Sequence, residues 1–350
     1  MWSALLLLTP LSAAAPGDVL DAYLNAALRG DLRGAAAIFE AAGNDLTARE
    51  RQLRDDYRRR FVDREETWAS VGSELVDDLL DLYREYWRRG LMGELDDETK
   101  EAWLRPEVGE VLRANGVPTP EGEDVLERMV AALGERGYHA IGGVTRPFYE
   151  LMIWRRQDER SFTVELTDAT IQVEVAFLGD FVSRGWTHFA TFGISSTGGW
   201  ATREKLFCLE DDYDLDSERF RISYLKHEGR HFADYRRFPM LEQADLEYRG
   251  KLTELAFAGE TQADLLETFE VNAAPDPRAP HSLANHAVVH ALRERLLRGD
   301  APAGAQAWRG IDADAVRRVA RALLETHTAE LELAGAADTR GVLDARPEGR

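Results

Sequence analysis

The sequence predicts an α+β fold in which a helical first half leads into a small sheet of three to five strands, followed by long helices. Three observations carry this expectation. From residue 18 to about residue 137, apolar residues recur every three to four positions, most clearly in SELVDDLLDLYREYWRRG. Between residues 150 and 195, Val, Ile, Phe, Thr and Trp concentrate, and IQVEVAFL alternates as a half-buried strand should. Beyond residue 216 helical spacing returns in four long segments.

Residues 1–15 read MWSALLLLTPLSAAA, an apolar stretch too short to span a bilayer and ending in small side chains. This pattern predicts a signal peptide cut near Ala14, with Ser12 and Ala14 at the two positions that need small residues, and hence an exported, periplasmic or secreted chain. No later segment reads as a membrane span, so no stable membrane insertion is expected. A helical domain then covers 16–140. DVLDAYLNAALRG and LRGAAAIFEAA form a short helical pair, RERQLRDDYRRRFVDR is heavily charged, and NGVPTPEG separates two further helices, Pro120 with Glu121 suiting a helix start.

Strands are expected at 150–156, 161–167, 171–181 and 188–195, with turns at 157–160, 167–170 and 183–186. Helices are expected at 216–237, 241–258, 282–298 and 312–333, so that 141–333 forms the second domain. The segment from Ala334, ending ARPEGR, reads as a loose tail.

Composition narrows the function classes. Hydrophobic residues at 44% and charged residues at 30% exclude a disordered chain. A formal net charge of −20 argues against nucleic acid, whose binders need a basic footprint to displace phosphate counterions, and against an anionic membrane surface. The single cysteine, Cys208 in KLFCL, rules out an internal disulfide and a cysteine-based zinc finger, and reads as a small core residue.

The chemistry concentrates in YLKHEGRHFADYRRFP. Asp216 or Ser217 can cap this helix and Pro239 ends it. His227 and His231 lie four residues apart, so both imidazoles leave one face and can share one Zn²⁺ at about 2.0–2.1 Å. Glu228 points too far round to join them as a ligand, but can take a proton from a water that zinc acidifies. The plainer alternative is a solvated face on which two histidines pair with carboxylates.

At these residues the chain resembles the zincin metallopeptidases, over roughly residues 149–258. The resemblance implies a zinc-dependent hydrolase acting on peptide or protein substrates, with an active-site helix following a sheet whose edge strand binds extended substrate. His231 is followed by Phe232, Ala233, Asp234 and Tyr235, without the Gly-x-x-His of metzincins. The gluzincin pattern, with a third ligand Glu from the next helix, fits better. That helix, ADLEYRGKLTELAFA, offers Glu247 and Glu254, two turns and roughly 10 Å apart by helical rise, so only one should reach the ion. Glu247 is favoured, being in the earlier turn and followed by Gly250, which lets two helices approach closely. Glu254 and Asp234 remain alternatives. Either glutamate could instead pair with Arg249 or Lys251. Asp234 could instead orient a ligand imidazole or pair with Arg230 or Arg237.

Weaker signals surround this core. His281, in PHSLANHAVVHALRER, is the first choice for a transition-state donor. His286 and His290 repeat the four-residue spacing without a following Glu and read best as a solvated helix face. Gly198 and Gly199 beside Trp200 suggest a hairpin turn or, more sharply, an edge strand that a substrate backbone can approach. Asp212, Asp214 and Asp216 alternate as in a calcium loop, but the required Gly is missing and Ser223 stands where Glu should be. Two rival readings stay open: an exported helical binding module whose metal is structural or absent, and a zinc hydrolase acting on an amide or ester that is not a peptide.

Overall fold

The computed structural model of the chain describes residues 19–96, 98–195, 197–277, 279–297 and 304–343. The expected signal segment and residues 344–350 lie outside the described residues. The fold is α+β. It divides into two compact units, Met1–Gln157 with Leu178–Thr197, and Asp158–Phe177 with Gly198–Arg350.

The first unit holds α1 (Val19–Leu28), α2 (Ala35–Ala42), α3 (Ala48–Tyr57), α4 (Glu74–Leu91), α5 (Thr99–Ala114) and α6 (Val125–Gly134). Thr47 and Glu50 close a reciprocal capping box at the start of α3. Asp124 opens α6 by accepting the N–H groups of Leu126 and Glu127, so the helix begins later than Pro120 and Glu121 suggest. In α4, Leu75, Val76, Leu79, Leu80, Tyr83, Tyr86 and Trp87 are buried, the three- to four-residue spacing made physical. Three short strands follow, β1 (His139–Ile141), β2 (Val144–Thr145) and β3 (Phe148–Tyr149).

A long hairpin comes next, β4 (Met152–Glu165) and β5 (Thr170–Arg184), turning where the Leu166 N–H donates to the Ala169 carbonyl at 2.8 Å. The two strands expected at 150–156 and 161–167 are thus one. Asp158, Glu159 and Arg160 are exposed within it, so their polarity marks a solvent-facing stretch of strand rather than a turn. The strand expected at 188–195 is instead a short helix, α7 (Gly185–Ala190), followed by turns. Tertiary context overrides the local β preference here. The buried Glu150 carboxylate accepts the Trp186 N–H at 2.8 Å, and Gly185, at φ +83°, leaves room for it where a Cβ would meet Glu150 Oε1 at 1.9 Å.

The sheet order is β1-β4-β5-β7-β6, where β6 is Gly199–Ala201 and β7 is Leu206–Leu209. Strands β6 and β7 pair antiparallel, Gly199 opposite Cys208 and Ala201 opposite Leu206. The Gly pair therefore enters the edge strand, and the turn falls later, where the Thr202 N–H donates to Lys205 O. Its free space is taken by the chain itself. A Cβ on Gly198 would meet the Tyr213 hydroxyl at 2.5 Å, and one on Gly199 the Tyr224 ring at 2.5 Å.

The rest of the second unit is helical: α8 (His227–Arg237), α9 (Gln243–Phe257), α10 (Gln262–Val271), α11 (Pro280–Leu296) and α12 (Ala313–Leu333). Residues 244 to 256 of α9 are buried without a break. The segment after Ala334 is not loose throughout: the Val342 and Leu343 N–H groups donate to Asp245 Oδ1 at 2.9 and 3.3 Å, and the Glu242 N–H donates to Arg340 O at 2.6 Å. Among the described residues no helix is long and apolar enough to cross a membrane.

Candidate metal centre

The helix bearing the histidines begins where Ser217 Oγ accepts the Phe220 N–H at 3.1 Å. It is wound as a π-helix over Phe220–Lys226 and tightens to α at His227. Such widened turns are uncommon and frequent at functional sites. The i, i+4 spacing then sets the His227 and His231 rings edge to face, their centroids 4.6 Å apart. On one side α8 rests on the hairpin, where a Cβ at Gly229 would touch Val164 at 3.1 Å. On the other it meets α9 at Gly250, where an added Cβ would lie 2.7 Å from the His227 ring. Gly250 thus permits the close approach that the sequence suggested.

That approach brings Glu247 to the two histidines. Its Oε2 lies 3.5 Å from His227 Nε2 and its Oε1 3.3 Å from His231 Nε2. All three side chains are fully buried. Both His231 nitrogens, His227 Nε2 and both Glu247 oxygens lack an aligned hydrogen-bond partner. Buried polar atoms left in this way each cost roughly 1–3 kcal/mol. A shared metal ion could satisfy them. Donors held by one ion at about 2.0–2.1 Å in tetrahedral array lie roughly 3.3–3.4 Å apart. Among the described residues, His227, His231 and Glu247 are the group of three that could hold a metal ion.

The surrounding charges suit this donor set. Glu254 Oε1 lies 2.6 Å from His227 Nδ1, which fixes the ring with Nε2 toward the other donors. Burial alone would lower the His227 pKa, but the Glu254 carboxylate and then Glu247 raise it to about 10. Burial, aided by the His227 charge, lowers His231 to about 4. Glu247 would be pushed up by burial, yet His281, His227 and His231 hold it well below the ordinary carboxylate range. The His227 ring lies between the Glu254 and Glu247 carboxylates, an environment that favours positive charge.

Glu228 lies beside the donors and is also fully buried, neither oxygen having an aligned hydrogen bond. Burial raises its pKa to about 8, reinforced by Glu247 and Glu254 and opposed by His227 and the main-chain amide of Ala201 in β6. His281 Nδ1 approaches Glu247 Oε2 to 2.8 Å, and its side chain is 31% exposed. The Lys251 ammonium lies 3.7 Å from the same oxygen and is almost buried.

Other expectations resolve differently. Asp234 neither ligates nor orients an imidazole through a hydrogen bond, because Arg230 and Arg249 take both its oxygens at 2.7–3.1 Å. Glu254 is a partner of His227 rather than a member of the donor trio. His286 and His290 stack on each other at 6.2 Å, with His290 exposed beside Glu294. The alternating aspartates lead into the helix, where Asp214 Oδ1 accepts the Asp216 N–H. The sequence did not reveal that Glu254 orients His227 or that Lys251 faces Glu247. The seven-residue Glu247–Glu254 spacing was the available signal for the first of these. Comparison with protein-family models, curated proteins and solved structures finds no match for the chain.

Proposed function

We propose that the chain is a zinc-dependent hydrolase, with His227, His231 and Glu247 as metal ligands and Glu228 as general base, and that it acts on peptide bonds. One observation carries the reading: three buried donors without aligned hydrogen bonds lie within 4.8 Å of one another, the Glu247 carboxylate 3.3–3.5 Å from both imidazole Nε2 atoms, next to a buried carboxylate with both oxygens free of aligned partners. Two imidazoles and one carboxylate are the donor set of an open zinc site, which keeps a position for water or substrate. Zinc bound there would polarise a carbonyl and acidify a water.

The chain's own groups do the rest. Glu254 keeps the His227 tautomer fixed through Nδ1. Glu228, fully buried beside the donors with neither oxygen in an aligned hydrogen bond, takes a proton from the attacking water and returns it to the leaving nitrogen. Peptide as the substrate rests on the resemblance of the HEGRH helix to zincins; a non-peptide amide or ester would meet the same groups.

Glu228→Gln tests the mechanism. Turnover of quenched peptide substrates should fall about 10²–10⁴-fold while zinc content is unchanged. Undiminished turnover in the variant sinks the mechanism. Complete burial of the ligands favours a second reading, a structural ion without turnover. That reading predicts zinc in the wild-type chain, no hydrolysis of peptide, amide or ester panels, and a large drop in thermal stability when the ion is removed.

A further inference from the structure

Two groups from outside the donor trio approach Glu247, both at Oε2, the oxygen that also lies 3.5 Å from His227 Nε2. His281, at the start of α11, places Nδ1 2.8 Å from Oε2. Lys251, one turn along α9, places Nζ 3.7 Å from the same atom. Against Oε1 the charged or ring nitrogen in range is His231 Nε2, at 3.3 Å. We infer that His281 and Lys251 are positioning residues that clamp Oε2 of Glu247, so that the carboxylate meets a metal ion through Oε1 and leaves one coordination position open. This rests on the metal-site reading above and assigns His281 a different role from that of a transition-state donor.

Two physical arguments support the clamp. The first is geometric. A carboxylate with both oxygens free can bind an ion through either or both, and binding through both closes the position a hydrolytic site needs. Partners on one oxygen break that symmetry, and the groups that hold a ligand in place tune its metal as strongly as the ligand type. The second is charge. Glu228, Glu247 and Glu254 bring three formal negative charges into a buried region. Lys251 brings a positive charge to the Glu247 carboxylate. A buried ammonium costs several kcal/mol unless it is paired. Here its neighbours are the Glu247 carboxylate and the face of Phe269, 4.9 Å from Nζ. Among the described residues, the ion pair Lys251 makes is with the Glu247 carboxylate.

The test uses the full chain and zinc itself. Lys251→Met removes the ammonium but keeps an unbranched apolar stem against Phe269. His281→Ala removes the ring from a partly exposed position, and His281→Asn restores an N–H near the place of Nδ1. Zinc affinity is read by competition with a chromophoric chelator, and coordination by the visible absorption of the cobalt-substituted chain. The clamp predicts that Lys251→Met and His281→Ala each bind zinc about 10- to 100-fold more weakly. Their cobalt bands should weaken toward five-coordinate intensity, and His281→Asn should recover part of both losses. Wild-type affinity and an unchanged cobalt spectrum in both Lys251→Met and His281→Ala overturn the clamp while leaving the metal site standing. Absence of zinc from the wild-type chain overturns the metal site, and the clamp with it.

Discussion

Gly250 shows how a single missing methyl sets the site. It lies on α9 directly against the His227 ring, which Glu254 already pins through Nδ1. Alanine is the better helix former by up to about 1 kcal/mol, so propensity alone would favour Gly250→Ala. The added Cβ would, however, sit 2.7 Å from two ring atoms of a fully buried imidazole. Overpacking of this kind costs about 1–3 kcal/mol, so the clash wins. Gly250→Ala should lower the thermal midpoint and weaken zinc binding together, by scanning calorimetry and chelator competition. A raised midpoint with unchanged zinc affinity would contradict the packing described. At this scale the sequence was informative where the information is local. The four-residue histidine spacing places two rings on one face whatever the rest of the fold does. Whether Glu247 or Glu254 reached them, and that Arg230 and Arg249 would occupy Asp234, depended on how helices meet, which spacing within one helix does not encode.

The element that most determines the centre is α9, whose helical spacing was legible but whose complete burial was not. Residues 244 to 256 are buried all round, although Asp245, Glu247, Arg249, Lys251 and Glu254 are charged. Its sequence carries no apolar stripe to announce burial, because each charge is answered from a neighbouring element or within the helix. Asp245 meets His327 at 2.9 Å and two main-chain N–H groups of the C-terminal segment; Arg249 meets Asp234 at 2.7 Å. Removing one member of such a buried pair typically costs about 3–5 kcal/mol. The helices of the first half were legible because their apolar faces follow the helical period, as in α4. Helix α7 was not, since its start is set by Glu150, distant in sequence. Burial raises the Glu150 pKa from 4.5 to about 7, with the Trp186 and Leu151 N–H groups acting in the opposite direction. The folded chain therefore favours the neutral acid. That contribution is fully present below about pH 4.5 and is lost as pH rises through about 7. Glu150→Gln stays neutral and keeps an acceptor for Trp186. It should be more stable than wild type at pH 8, by up to about 3 kcal/mol, with the difference vanishing below pH 4.5. Equal thermal midpoints at pH 8 would contradict this.

Over the whole molecule, the α+β class was legible from the succession of spacings alone, while the division of the chain was not. The two units exchange the chain inside a hairpin rather than at a linker, so no composition shift marks the boundary. The polar residues 158–160 looked like a turn because solvent-facing strand and loop share a composition. What decides at this scale is whether the second unit holds an ion. Elemental analysis of the purified chain after dialysis against zinc, beside His231→Ala prepared in the same way, measures this most directly. One zinc per wild-type chain, lost in His231→Ala, is the result the account predicts. A wild-type chain that carries no zinc, or a variant that carries as much, would contradict it.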